Sequence, residues 1–144
     1  MELNTTGPAK YICFKLSKVM RKVQKYYENR LVAFGITPVQ FYVFNVLWEK
    51  DGLKFKELAE KVNMDGATLT GILDRMERSG FVKRQDDPED RRSLLVYLTA
   101  KSKSQGQEMV RLADGFDDDV RQQIPEAEFI TFLKVLDDLY DSEL

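Results

Sequence analysis

The sequence predicts a mostly α-helical chain of the α+β kind, with about six helices and one two-stranded β-hairpin. Three observations lead there. Apolar residues recur at helical spacing through most of the 144 residues. Two short segments, 81–85 and 93–98, instead read as strands flanking a polar loop. That strand pair follows at once on two short helices joined by a tight break, which is the order of a winged helix-turn-helix.

Each element has a local reason. Residues 8–33 read as one long helix, with Cys13, Leu16, Met20, Val23 and Tyr27 on one stripe and Gly35 as its end. The next helix opens at Thr37-Pro38-Val39-Gln40, where Thr37 caps, Pro38 suits the first position and Gln40 completes a capping box. Phe41 to Trp48 is apolar nearly all round, so this helix is expected to be the core; Asp51-Gly52 closes it. Residues 54–62 form a short helix with Phe55, Leu58, Ala59 and Val62 inward. After Asn63-Met64, Asp65 caps a further helix to about Ser79, ended by Gly80. Its buried face is Leu69, Ile72, Leu73 and Met76, and its outer stripe is Thr68, Gly71, Arg75 and Arg78. The loop between the strands is 86–92, which contains Pro88. Thr99 caps a long helix carrying Met109, Leu112, Phe116, Val120 and Ile124, and Pro125 starts the last, with Phe129, Phe132, Leu133, Leu136 and Tyr140.

Composition narrows the function. Apolar residues at 43% and charged residues at 32% are those of a soluble globular domain. No apolar run reaches the ~18–20 residues of a membrane span, and Met1-Glu2-Leu3-Asn4 does not resemble an export leader, so a cytoplasmic protein is expected. One cysteine and no histidine exclude an internal disulfide, a Cys-rich zinc site and histidine acid–base chemistry. With no glycine-rich phosphate loop either, neither an enzyme nor a cofactor is expected. The net charge of −2 hides an asymmetry. Residues 1–53 carry eight basic and four acidic side chains, residues 54–103 eleven and nine, and residues 104–144 three and eleven.

A basic helix-turn-helix with a wing points to double-stranded DNA. Thr68 and Thr70 can hydrogen-bond or touch a thymine methyl, Arg75 and Arg78 can reach guanine or phosphate, and Gly71 leaves room for the duplex. In the wing, Asp90 stands two residues before Arg92 and can hold its guanidinium for a narrow A·T-rich minor groove. Lys83, Arg84 and Arg91 read as phosphate contacts. A winged helix that binds only protein is the rival; salt-dependent, sequence-specific DNA binding separates the two.

These motifs together resemble the MarR family of bacterial transcriptional regulators, over nearly the whole chain. The wing signature is Asp90-Arg91-Arg92-Ser93 followed by Leu94-Leu95-Val96-Tyr97-Leu98-Thr99. Glu57-Leu58-Ala59, Asp65-Gly66-Ala67-Thr68-Leu69-Thr70 and Arg75 to Val82 match in order and spacing. The resemblance implies a DNA-contacting set that also includes Asp65 and Gly66, and gives Arg92 the minor-groove role. Tyr11-Ile12-Cys13-Phe14-Lys15-Leu16, Thr37 to Phe41 and Leu47-Trp48-Glu49 are further similar to the OhrR organic-peroxide sensors, whose reactive cysteine meets two tyrosines. Those tyrosine positions hold Ser17 and Tyr27 here. Cys13 is then either a redox sensor partnered by Tyr27 or a packing residue. Fourteen helical residues span about 21 Å, so Cys13 and Tyr27 meet only between two subunits with antiparallel first helices.

The expected organisation is a single chain, 1–144, in which 37–103 is the DNA-binding region and 8–36 and 104–144 are dimerisation helices. The expected protein is a homodimeric regulator, a repressor, on a pseudo-palindromic operator. Its release signal is a small aromatic or lipophilic ligand, or an oxidant acting on Cys13.

Overall fold

The computed structural model describes Leu3 and residues 5–144. Met1, Glu2 and Asn4, used above against an export leader, lie outside the described residues. Among the described residues there are six α-helices and three strands: α1 Ile12–Leu31, α2 Pro38–Glu49, β1 Leu53–Lys54, α3 Phe55–Lys61, α4 Gly66–Arg78, β2 Val82–Asp87, β3 Asp90–Leu98, α5 Ala100–Arg121 and α6 Glu126–Asp141. No single helix among them is long and apolar enough to cross a membrane.

The elements start and stop for the reasons their sequences suggest. At α2 the capping box forms in full: the Gln40 N–H donates to Thr37 Oγ1 at 3.3 Å and the Thr37 N–H to Gln40 Oε1 at 3.1 Å. Both helices of the helix-turn-helix end in a Schellman motif. After α3 the Met64 N–H reaches the Ala59 carbonyl at 3.0 Å, with Asn63 in the left-handed region at φ 54°. After α4 the Phe81 N–H reaches the Met76 carbonyl at 2.8 Å, with Gly80 at φ 79°. A side chain at φ > 0 is strained, and asparagine and glycine are the residues that tolerate it best.

Four expectations are corrected. The long first helix is interrupted at both ends: Pro8–Lys10 and Val32–Phe34 are 3-10 turns, and Tyr11 is extended. The segment 54–62 is helical only from Phe55, because Leu53 and Lys54 form a short strand against Val96 and Leu95. The wing loop is much shorter than 86–92: β2 continues through Asp87 and β3 begins at Asp90, leaving Pro88-Glu89 as the turn. The long helix after Thr99 stops at Arg121, short of Ile124. The sheet runs β1-β3-β2, all antiparallel, with Val82 opposite Leu98, Arg84 opposite Val96 and a register shift at Asp86/Asp87.

The chain divides into two compact units at Met109/Val110, within α5. In the first, α2 is the core element, with Phe41, Val43, Phe44 and Leu47 buried among Leu31, Leu58, Leu69, Leu73, Met76, Phe81 and Val96. An aromatic row links α1 to α2: Tyr27 to Phe41, Phe41 to Phe44 and Phe44 to Trp48, at 5.6, 6.1 and 5.7 Å between ring centroids. The second unit is the remainder of α5 with α6; Phe129 is buried there and carries the Arg121 guanidinium 4.5 Å from its ring centroid.

Candidate nucleic-acid interface

Helix α4 is held by its inner face and bare on its outer one. Leu69, Ile72, Leu73 and Met76 are buried, while Thr68, Thr70, Arg75 and Arg78 are exposed. Asp65 closes the N-terminus: its carboxylate accepts from the Thr68 N–H at 2.8 Å and from the Thr68 hydroxyl at 2.9 Å. Those two bonds, the backbone one first, hold the Asp65 carboxyl below its ordinary value. A helix N-terminus favours anions, and here that place is taken by the chain's own carboxylate. Gly66 is the first helical residue, and its carbonyl accepts from the Thr70 hydroxyl at 2.8 Å. Arg75 and Arg78 each direct Nε to the carbonyl four residues back, at 3.1 and 3.4 Å.

Arg84 departs from expectation. Its guanidinium is not turned outward but lies 2.7 Å from an Asp74 carboxylate oxygen and 3.0 Å from Glu77 Oε2. The hydrogen bond to Arg84 lowers the Glu77 carboxyl, and the same bond raises Arg84. Arg84 is therefore an internal brace between β2 and α4. Lys83, its neighbour, alternates to the other side of the strand and is exposed, with Nζ 5.9 Å from the Tyr97 ring centroid.

Asp90 also acts differently from the expected orienter of a guanidinium. It accepts from the Arg92 backbone N–H at 3.0 Å and the Ser93 hydroxyl at 3.1 Å, and these lower its carboxyl in that order. It shapes the strand that carries Arg91 and Arg92, both exposed. Asp87 similarly accepts from the Glu89 N–H at 2.9 Å, with Lys54 Nζ 3.9 Å away. Two of the wing's acids are thus turn acceptors.

Sequence reasoning missed a third group, at the start of α5. The Thr99 hydroxyl donates to the Gly80 carbonyl at 2.6 Å, the Ser102 hydroxyl to the Phe81 carbonyl at 2.6 Å and Lys101 Nζ to the Ser79 carbonyl at 3.0 Å. Three side chains from one turn therefore grip three consecutive carbonyls where α4 ends. Asp51 adds to this by accepting from the Leu98 N–H at 2.8 Å and pairing with Lys103 at 3.1 Å. The only local signal was Thr99 with Ser102 three residues on.

Cys13 and Tyr27 are not brought together within the chain. They lie on one unbroken helix; Cys13 is exposed, and Tyr27 is buried against Phe41.

Comparison with known proteins agrees with this geometry. Residues 36–94 match the model of the MarR family. The regulator MgrA of Staphylococcus aureus is 30% identical over 104 residues, 72% of this chain and 71% of that protein. A MarR transcriptional regulator from Methanosarcina mazei Go1 superposes with a TM-score of 0.80 at 25% identity, covering 90% of this chain and 94% of that one. Reduced AbfR bound to DNA gives 0.74 at 28% identity, covering 90% and 88%. The chain belongs to the MarR family of transcriptional regulators.

Proposed function

We propose that the chain is a homodimeric repressor that binds a pseudo-palindromic operator through α4 and the wing and is released by a small aromatic or lipophilic ligand. The observation that carries the reading is the exposed outer stripe of α4 together with an exposed Arg91-Arg92 pair on the wing. One element suits a major groove, and the other an adjacent minor groove. On this reading the DNA contacts are Asp65, Gly66, Thr68, Thr70, Arg75, Arg78, Lys83, Arg91 and Arg92, with Arg84 and Asp90 supporting them. Residues 37–103 are the DNA-binding region, and residues 8–36 and 104–144 make the dimer.

Dimerisation is supported by faces that the chain leaves open. Phe14, Leu16, Val19 and Met20 are exposed on α1, and Phe132, Leu133 and Leu136 on α6. Two copies satisfy two half-sites about one helical turn apart. An open depression of about 460 Å³ where α1 gives way to α2, lined by Val32, Ile36 and Pro38 together with Gln24, Glu28 and Thr37, is a candidate place for the effector. Exposed Cys13 keeps oxidation as a second trigger; organic peroxide with a small thiol then abolishes DNA binding in wild type and not in Cys13→Ser.

The test is DNA selection from the source genome with the full chain, followed by Arg75→Ala and Arg92→Ala. Arg75→Ala is expected to weaken binding roughly five- to a hundredfold within the half-site, and Arg92→Ala to relax the A·T-rich flanks. Both variants binding like wild type across a range of salt would sink the assignment of this surface.

A further inference from the structure

The outer face of α4 presents its hydrogen-bonding groups in two blocks of opposite sense. Near the N-terminus the hydroxyls of Thr68 and Thr70 face Asp65 Oδ2 and the Gly66 carbonyl. Neither partner can donate: a carbonyl has no proton, and Asp65, lowered by its bonds from Thr68, is a carboxylate at neutral pH. In the free chain both hydroxyl protons are therefore directed back into the helix, and turning either one outward gives up that hydrogen bond. A hydroxyl that donates to a carboxylate is polarised and accepts more strongly. Further along, Arg75 and Arg78 have Nε committed to backbone carbonyls, which leaves their terminal amino groups as the donors.

The shape between the threonines is open. At 100° per residue Thr68 and Thr70 stand about 200° apart, flanking Ala67 and Gly71. A Cβ at Gly71 would meet only the tip of Arg75, at an ordinary 3.7 Å. Nothing within the chain requires glycine there. Its effect is on the outer side, where a missing side chain lets base edges come close to the helix.

Resting on the reading that α4 enters a major groove, we propose that Thr68 and Thr70 make the N-terminal half of α4 a reader of A·T pairs that rejects guanine. In that groove adenine N6 and cytosine N4 donate, guanine O6 and N7 only accept, and thymine alone carries a methyl. A threonine oxygen without an outward proton bonds adenine N6, while the threonine methyls and Ala67 pack on the thymine methyl. Against guanine the hydroxyl must either oppose lone pairs or break its bond to Asp65 or the Gly66 carbonyl in order to donate. Cytosine supplies the donor but no methyl. Arg75 bends back to the Gly71 carbonyl, so its terminal amino groups lie close on the C-terminal side of the threonines and select a guanine next to the A·T pairs.

The test is selection from a random duplex library by the full chain, as wild type and as Thr68→Val, Thr70→Val, Thr68→Ser and Thr70→Ser. Valine keeps the shape and removes the oxygen; serine keeps the oxygen. Wild-type sites are expected to hold A·T at a fixed offset from a guanine that Arg75→Ala no longer selects. The valine variants are expected to admit guanine there, with discrimination falling roughly three- to tenfold, and the serine variants to keep it. Replacing that thymine by uracil should weaken wild-type binding about threefold, and this arm needs no variant to fold. Guanine selected at those positions by wild type, or valine variants with unchanged preference, overturns the inference while leaving DNA binding intact. If no sequence is enriched, the DNA-binding reading falls and takes this inference with it.

Discussion

Helices α4 and α6 both carry an apolar stripe at helical spacing, yet the chain covers only one of them. In α4, Leu69, Leu73 and Met76 have no exposure, because α2, α3 and β2 close over them. In α6, Phe129 is buried, but Phe132, Leu133, Leu136 and Leu139 stay between 36% and 45% exposed. Helix α1 shows both conditions along its length: Leu31 and Tyr27 belong to the core, while Phe14, Leu16 and Met20 face solvent. Amphipathic spacing therefore states that a face is to be covered, not by which molecule. Each exposed Å² of apolar surface forgoes roughly 25 cal/mol that burial would supply.

The largest effect that sharpens this contrast is expected from truncation inside α4. Leu73→Ala removes atoms from a site with no exposure and is expected to cost about 2–5 kcal/mol, measured by urea unfolding. Phe132→Asp, on the open stripe of α6, should leave the core of residues 1–109 folded but shift sedimentation equilibrium from twice 16.7 kDa towards 16.7 kDa. An unchanged mass for Phe132→Asp would show that the open face of α6 is not the dimer surface.

A second contrast is between glycines on the outside and inside of helices. Gly71 has room around it, whereas a Cβ at Gly106 would fall within the Trp48 ring. Gly106→Ala is expected to destabilise by about 1–3 kcal/mol through displaced packing, despite alanine's better helix propensity. Stabilisation in a thermal melt would mean that α5 moves away from α2 easily. The close contact also fixes the first turns of α5 on the body that carries α2 and α4, together with Thr99, Lys101 and Ser102.

How far the sequence is legible differs between these regions for physical reasons. Caps and Schellman ends depend on residues within about six positions, so Thr37, Asp65 and Gly80 announce their roles locally. The two-residue strand β1 has too few positions to show a period, and β3 alone gives it a partner. The extension of the hairpin through Asp86, Asp87, Asp90 and Arg91 is hidden because these residues are all charged and show no apolar alternation, although Asp87 is buried. Ser102 has a local mark in its spacing from Thr99, but nothing near it names the carbonyl it binds, 21 residues away. The candidate DNA residues on α4 were legible as a stripe, but the direction of their protons was not, since that depends on partners in three dimensions.

The smallest stability effect is expected at Arg84, where the contrast between surface charge and brace is sharpest. A phosphate contact would leave stability unchanged on removal. A brace between Asp74 and Glu77 does not, but both carboxylates are nearly half exposed, so Arg84→Gln should cost about 1 kcal/mol or less at pH 7 and less still in high salt. The sign with pH follows from Glu77. Its folded value is lowered, so the stabilisation is present above its ordinary value of 4.5 and is lost as pH falls below it. The stability gap between wild type and Arg84→Gln should therefore narrow on acidification below pH 4.5. DNA binding adds an independent readout. Without the brace the wing loses its fixed angle to α4, so A·T-flank preference should weaken more than half-site readout. Arg84→Lys, which keeps the charge but not the two-pronged geometry, should fall between wild type and Arg84→Gln. A phosphate contact instead predicts that Arg84→Lys binds like wild type, that Arg84→Gln loses affinity uniformly across sequences, and that the salt dependence drops by about one ion.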